Sequence, residues 1–405
     1  MILLLKIEYY CCIKIIMIGY KYAKRSEIIG DSVYDHHKNT IILSSGLAYP
    51  DNLPDIIPET NLVLEKYKTE ALQYGPLMGV DDLRDAISEY LNEDGIQCTK
   101  ENILITYGAK HALDLACRVF IEEGDKIIVT SPSYMTAIQI MRNHGVSFLS
   151  IRQDKEGLMT EELEKELERL KLNGERIPKM LFDVPDFHNP TGITMSYDRR
   201  KKLVQLAEKW NFIILEDDPY RRLRFEGTSI PPIKYFDQKN FVVGIGTFSK
   251  ILAPGLRVGW AVGSKEIVNR MAMQKSDGGS NPLSQRIVLE FFKNKKIHKH
   301  IDSLSTEMKQ HRDVMIKSFN NHLPEISIKK PNGGYFLWGE LPKNINAERL
   351  VELAIKEGVE ISTGRICFPN RGPDNFIRLA YSFVSEEIIK EGVIRLAKAY
   401  NKIKQ

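Results

Sequence analysis

The chain has little cysteine: five residues in 405, namely Cys11, Cys12, Cys98, Cys117 and Cys367. Their number is odd and no pair has a metal-site spacing, so the expectation is reduced thiols in a cytoplasmic protein. An excess of charge is also missing. The 57 lysines and arginines against 53 acidic residues leave a net +4, and no basic cluster alternates with aromatics as a nucleic-acid surface would. The nine histidines show no metal-ligand pattern, and His36-His37 reads as exposed. Repeats, low-complexity tracts and long linkers are absent. So is a long apolar run. Residues 1–18 are rich in Ile, Leu and Tyr, but Lys6, Glu8 and Lys14 interrupt them, which argues against a spanning helix. No early basic region or small-residue cleavage site marks a signal peptide. The stretch therefore reads as a non-native or disordered extension, with Met17 a candidate start.

What remains is a chain with 43% hydrophobic residues, enough for a large core and two domains. From Asn102 to Gly263 short apolar runs alternate with helical patterns. The strands expected are Asn102–Thr106, Lys126–Thr130, Lys179–Val184, Phe212–Glu216, Phe241–Ile245 and Arg257–Val262. Such alternation predicts an α/β fold, a mostly parallel sheet between helices. The clearest helix is Ser196–Trp210, capped by Ser196, and Glu161–Lys171 reads as a solvated helix. A large domain over 46–280 and a smaller α+β domain from 19–45 and 281–405 are expected.

The most informative stretch is GTFSKILAPGLRVG, Gly246 to Gly259. A lysine does covalent chemistry when its amine condenses with a carbonyl, and pyridoxal phosphate offers both an aldehyde and an anion. Lys250 would form that imine and Arg257 would meet the phosphate. The pyridine nitrogen needs a carboxylate from a rigid position. Asp217 directly follows the buried run FIILE, where ligands bind parallel sheets, although Glu216 and Asp218 compete for the role. Tyr220 and Asn189, in HNPTG, suit the ring oxygen. In TYGAKHAL a strand, a glycine and a helix start place Gly108, Ala109 and Lys110 at a phosphate. Tyr134 follows the next strand, where an aromatic ring can stack on the pyridine. In FIRLAYS, Arg378 sits between apolar residues. A buried guanidinium calls for an anion, either a substrate carboxylate or one of the 53 acidic residues.

Together these segments resemble the fold-type I pyridoxal-phosphate-dependent aminotransferases of class I/II, from about Ile42 to the C-terminus. The branch with aminoadipate and kynurenine aminotransferases is the most similar, through EDDPYRRLRF, FSKILAPGLRVG and ALQYGPLMGVDDLR. The resemblance implies that Lys250 makes the internal aldimine and Asp217 pairs with the pyridine nitrogen. It further implies that Asn189 and Tyr220 meet the ring oxygen, that Tyr134 stacks, and that Thr247, Ser249 and Arg257 hold the phosphate. Arg378 then binds the substrate carboxylate, with Asn189 and the Gly46 backbone nearby. Tyr74 reaches the phosphate of a neighbouring subunit, which implies a homodimer with shared sites.

Two departures stand out. Ala109 and Lys110 replace a serine and glutamine common in relatives, and no arginine before Gly46 aligns with the one that reads a distal carboxylate. The implied reaction is transfer of an amino group between an amino acid and a 2-oxo acid, with ping-pong kinetics. Alternatives are another enzyme of the same cofactor (a lyase, decarboxylase or cyclising enzyme) or an amine sensor. For the sensor, the stretch before Ile42 is short for a DNA-binding domain. Tyr20, Lys24, Arg25 and Tyr335 are candidates for the pocket of the substrate side chain.

Overall fold

Alternate residues of the central strands enter two different cores, one on each face of a sheet, because successive strand side chains point opposite ways. Met180 and Phe182 join one apolar cluster and Leu181 the other, and the same split divides Ile127 and Val129 from Ile128. The computed structural model describes residues 39–404. The 1–18 extension, Met17, His36-His37, Cys11, Cys12, Tyr20, Lys24 and Arg25 lie outside those residues.

The strands are β1 (Ile41–Ile42), β2 (Ile103–Thr106), β3 (Lys126–Ser131), β4 (Ser147–Asp154), β5 (Gly157–Leu158), β6 (Met180–Asp183), β7 (Ile213–Asp218), β8 (Val242–Thr247), β9 (Gly259–Val262), β10 (Ser327–Ile328), β11 (Phe336–Glu340), β12 (Val359–Glu360), β13 (Ser362–Thr363) and β14 (Phe376–Ala380). Eight form one sheet in the order β2-β9-β8-β7-β6-β3-β4-β5. The pairs β3 with β4, β3 with β6, β6 with β7 and β7 with β8 are parallel. β9 runs against both its neighbours, and β5 against β4. The mixed α/β architecture with a mostly parallel sheet is the one expected. The two reversals were not expected, because a strand's direction depends on its connections and leaves no trace in its own residues.

The helix Tyr197–Trp210 begins as anticipated, with the Ser196 hydroxyl accepting from the Arg199 N–H. The acidic-basic helix runs from Thr160 to Leu172 and is less solvated than its charges suggest, since Leu163, Leu167 and Leu170 are buried along one side. β7 continues two residues past the apolar run, so Asp217 belongs to the strand itself.

A second sheet, β10-β11-β14-β13, is antiparallel throughout. It places Arg378 opposite Trp338 on one side and Ser362 on the other. The segment entering Gly46 joins this region. β1 pairs with β12, and the carbonyl of Leu43 accepts from the Ala380 N–H at 2.7 Å.

Candidate active site

The ends of β2, β3, β6, β7 and β8 lie at one edge of the large sheet, and the sequence motifs follow them. Just beyond β2, Gly108 adopts a φ of +93° and caps the helix Ala109–Phe120. A side chain there would stand 3.3 Å from the Arg257 guanidinium and 3.6 Å from the Thr247 hydroxyl. Glycine thus meets two demands, the left-handed backbone and the narrow space. The Thr247 hydroxyl donates to Ser249 Oγ at 2.9 Å, and Arg257 donates to the Tyr107 carbonyl at 2.6 Å and to Ser249 Oγ at 3.5 Å. Two hydroxyls, a guanidinium and a helix start therefore converge, a cradle suited to a phosphate. Ala109 and Lys110 open that helix; Ala109 offers only backbone, and Lys110 is exposed.

The three carboxylates at the end of β7 are separated by their partners. Glu216 accepts from the Ile233 and Lys234 N–H groups at 2.6 and 2.8 Å. Asp218 accepts from Arg221 Nε at 2.7 Å. Asp217 is 5% exposed, and its Oδ1 has no hydrogen-bond partner among the described residues. Burial first, then the charge of Asp218, push its carboxyl up to about 7, while Lys250 opposes the shift. An orphaned buried carboxylate oxygen is costly unless a donor arrives. A protonated pyridine nitrogen would be such a donor.

Lys250 lies half-buried after β8 and donates to the Gly46 carbonyl at 2.7 Å. Burial, followed by the charges of Lys110, Arg378 and Arg257, lowers its ammonium to about 8, with Asp217 working the other way. A large share is therefore neutral and nucleophilic near pH 8. Gly46 has no room for a side chain, since Phe336 would be met at 2.4 Å. Tyr335, a candidate for the side-chain pocket, is fully buried and donates its hydroxyl to the Lys250 carbonyl at 2.8 Å.

Arg378 is 3% exposed. Its Nη1 donates to Asn189 Oδ1 at 3.2 Å and reaches the Met135 sulfur at 3.1 Å; its Nη2 donates to the Ser44 carbonyl at 2.8 Å and to Ser362 Oγ at 3.4 Å. Nε has no partner. Among the described residues no carboxylate forms an ion pair with it, so the structural alternative raised by the sequence finds no support. Met135, Ser44 and Ser362 were missed by the sequence reading. Ser362 was reachable only through the strand register, and Ser44 acts through its backbone, which its side chain does not advertise.

Tyr220 is 3% exposed, with its ring 5.6 Å from that of Tyr335, and burial raises its phenol well above the ordinary value. Tyr134 is half-buried three residues beyond β3. Tyr74 stands apart: it is 84% exposed, and its backbone N–H bonds to Gln73. It has no hydrogen bond to the phosphate cradle of its own chain among the described residues.

The residues present fit a pyridine aldehyde carrying a phosphate. Comparison with known proteins points the same way. The family model described as aminotransferase class I and II matches residues 38–396. An aromatic-amino-acid aminotransferase 1 from Thermococcus litoralis is 39% identical over 366 residues, covering 89% of this chain and 88% of that one. The crystal structure of a multiple substrate aminotransferase from Thermococcus profundus superposes with a TM-score of 0.89 at 35% identity, over 95% of this chain and 98% of the other. A kynurenine aminotransferase from Pyrococcus horikoshii, solved with PMP, has a TM-score of 0.88 at 36% identity, over 94% and 97% of the two chains.

Proposed function

Because the chain belongs to the class I and II aminotransferases and is a pyridoxal-phosphate-dependent enzyme, we propose that the groups gathered around Lys250 carry its amino transfer between an amino acid and a 2-oxo acid. Bound, the cofactor supplies an aldehyde that takes up an amino group and a ring that draws electrons from the adjacent carbon. The rest is the work of this chain's own side chains.

Thr247, Ser249, Arg257, Lys110 and the backbone at Gly108 and Ala109 hold the phosphate. The orphaned oxygen of Asp217 keeps the ring nitrogen protonated, and the arriving positive charge in turn keeps Asp217 ionised. Tyr220 and Asn189 donate to the ring oxygen, and Tyr134 covers the ring face. Arg378 receives the α-carboxylate on its unpaired Nε and an Nη, with Asn189 and Gly46 beside it. Lys250 Nζ takes the proton from the substrate's α-carbon and returns it to the neighbouring carbon, a task suited to an amine whose ammonium is lowered to about 8. The single observation that carries this reading is the pair of buried charges, Asp217 and Arg378, each keeping an unpaired polar atom while both bear on Lys250.

Tyr74 is too exposed to act within its own subunit. We place it against the phosphate in a partner copy, so the active unit is a homodimer with shared sites. The body over 46–280 is the cofactor domain, and the C-terminal sheet with the segment before Gly46 is the smaller one. Among the described residues no helix is long and apolar enough to cross a membrane, and Cys98, Cys117 and Cys367 are free thiols, in keeping with a cytoplasmic location. Aromatic amino acids are the first donors to test, since the Thermococcus litoralis and Pyrococcus horikoshii relatives are named for aromatic substrates.

The test is the absorption spectrum of the purified protein with pyridoxal phosphate, before and after amino acids are added without any oxo acid. A visible band should give way to a near-ultraviolet one as a 2-oxo acid is released, the first half of a ping-pong cycle. Lys250→Ala should lack the initial band. A band that shifts with no oxo acid formed would favour another reaction of the same cofactor.

A further inference from the structure

Behind the Asn189 loop lies a chain of buried polar groups that the proposed reaction does not use. Thr130, Asp183, His188 and Thr191 are exposed by 1%, 2%, 3% and 9%. They come from the end of β3, the end of β6 and the HNPTG loop. The direction of each hydrogen bond can be followed from one end. The Pro132 carbonyl can only accept, so Gln153 Nε2 donates to it at 3.2 Å. That fixes Gln153 Oε1 as an acceptor, which takes the Thr191 hydroxyl proton at 3.1 Å. Thr191 Oγ has then spent its one proton, and His188 Nδ1, 3.1 Å away, must donate to it.

In a neutral imidazole this leaves Nε2 as a bare lone pair. It is buried without a hydrogen-bond partner among the described residues, and Asp183 Oδ1 lies 3.6 Å away. That carboxyl already accepts from the Thr130 hydroxyl at 2.6 Å. An ionised Asp183 beside an unprotonated Nε2 would set lone pair against lone pair in a dry interior. One more proton between them resolves the conflict, and a closure of a few tenths of an ångström makes the bond.

We propose that Asp183 and His188 share one retained proton in mildly acidic solution and serve as positioning residues that tie the Asn189 loop to the loop bearing Tyr134. The surroundings favour a pair with no net charge. Burial pushes Asp183 up to about 6 and His188 down to about 3. The other charge that bears on Asp183 is Arg200, from the helix Tyr197–Trp210, and it is committed to Asp186 at 2.8 Å. Among the described residues, the groups of β3 and β4 hydrogen-bonded to the pair are the neutral Thr130 and, through Thr191, Gln153. The chain thereby joins Pro132, two residues before Tyr134, to His188, one residue before Asn189. The positioning role rests on the proposed function of those two residues; the proton does not.

Asp183→Asn and Asp183→Leu separate the possibilities. Asparagine keeps a donor for Nε2 and an acceptor for Thr130 without ionising, whereas leucine leaves both neighbours unpaired. The asparagine protein should bind pyridoxal phosphate within about twofold of the parent, and the leucine protein about tenfold more weakly. A carboxyl raised in the fold stabilises it at low pH, and that contribution is lost as pH rises through about 6. The melting temperature of Asp183→Asn relative to the parent should therefore climb from pH 4 to pH 8. In 15N-histidine spectra of the parent, His188 should carry a proton on Nδ1 and show no ordinary titration. Damage by asparagine equal to that by leucine, or a neutral His188 protonated only at Nε2, would overturn the shared proton. Parental cofactor affinity in a folded Asp183→Leu would overturn the positioning role. If the leucine protein does not fold, the asparagine and histidine measurements still decide the proton, and the cofactor affinity of His188→Phe replaces the leucine test.

Discussion

Two buried arginines in this molecule have opposite surroundings. Arg200 is fully buried and fully answered: Asp186 at 2.8 Å and the carbonyls of Met195, Pro231 and Pro185 at 3.0, 3.1 and 3.4 Å. Arg378 is almost as deep, yet among the described residues it meets a carbonyl, an amide oxygen, a hydroxyl and a thioether but no carboxylate, and its Nε goes unpaired. A folded chain rarely leaves a buried charge unanswered without a use for it. The same contrast separates Glu216 and Asp218, whose oxygens are taken, from Asp217. In each set the incomplete member stands beside Lys250, so incompleteness, more than burial or residue type, marks the site.

The largest effect should come from breaking the complete member. Arg200→Leu strands Asp186, leaving it Arg224 alone, at 3.0 Å, as an ion-pair partner among the described residues, and takes a donor from the carbonyls of Met195 and Pro231, while that of Pro185 keeps the Met195 N–H at 2.7 Å. The cost should be about 3–5 kcal/mol of stability, read by denaturant unfolding. Whatever fraction folds should keep its kcat/KM. Arg378→Leu should reverse the pattern. In the role proposed for Arg378 it removes charge-assisted bonds to the substrate carboxylate, so kcat/KM for the amino donor should fall about tenfold to a hundredfold, with a much smaller loss of stability than in Arg200→Leu. Equal losses of stability in the two variants, with the activity of Arg378→Leu intact, would place both arginines in the scaffold and end the distinction.

Much of the site could be read in the sequence because its chemistry needs particular side chains at strand ends, and strand ends are visible as the close of apolar runs. Asp217 and Lys250 were candidates for that reason, and Arg378 because it interrupts an apolar strand. What stayed hidden depends on partners distant in the chain. Asp218 is answered by the nearby Arg221, but nothing local says that Glu216 is taken and Asp217 left; that answer lies with Ile233 and Lys234. The reversal of β9 and the pairing of Ser362 with Arg378 are likewise set by topology and register. The charged helix Thr160–Leu172 misled in a simpler way, because its exposed acids and bases outnumber the three leucines that bury it.

The smallest effect belongs to an exposed charge at the same site. Lys110 stands second in the helix behind the phosphate cradle and is, after burial, the largest influence lowering Lys250. Unlike Arg378 it is bathed in solvent, so its field is screened and its contribution small. Lys110→Gln should weaken pyridoxal phosphate binding about two- to fivefold at low salt, measured by equilibrium absorbance titration. The difference should shrink as salt is added. The ammonium of Lys250 should become harder to deprotonate, because one neighbouring positive charge is gone, and the pH titration of the visible band should move upward. An effect that persists at high salt would mean that Lys110 makes a direct, desolvated contact with the phosphate, which would place it with Arg378 among the groups that are complete only when a ligand is bound.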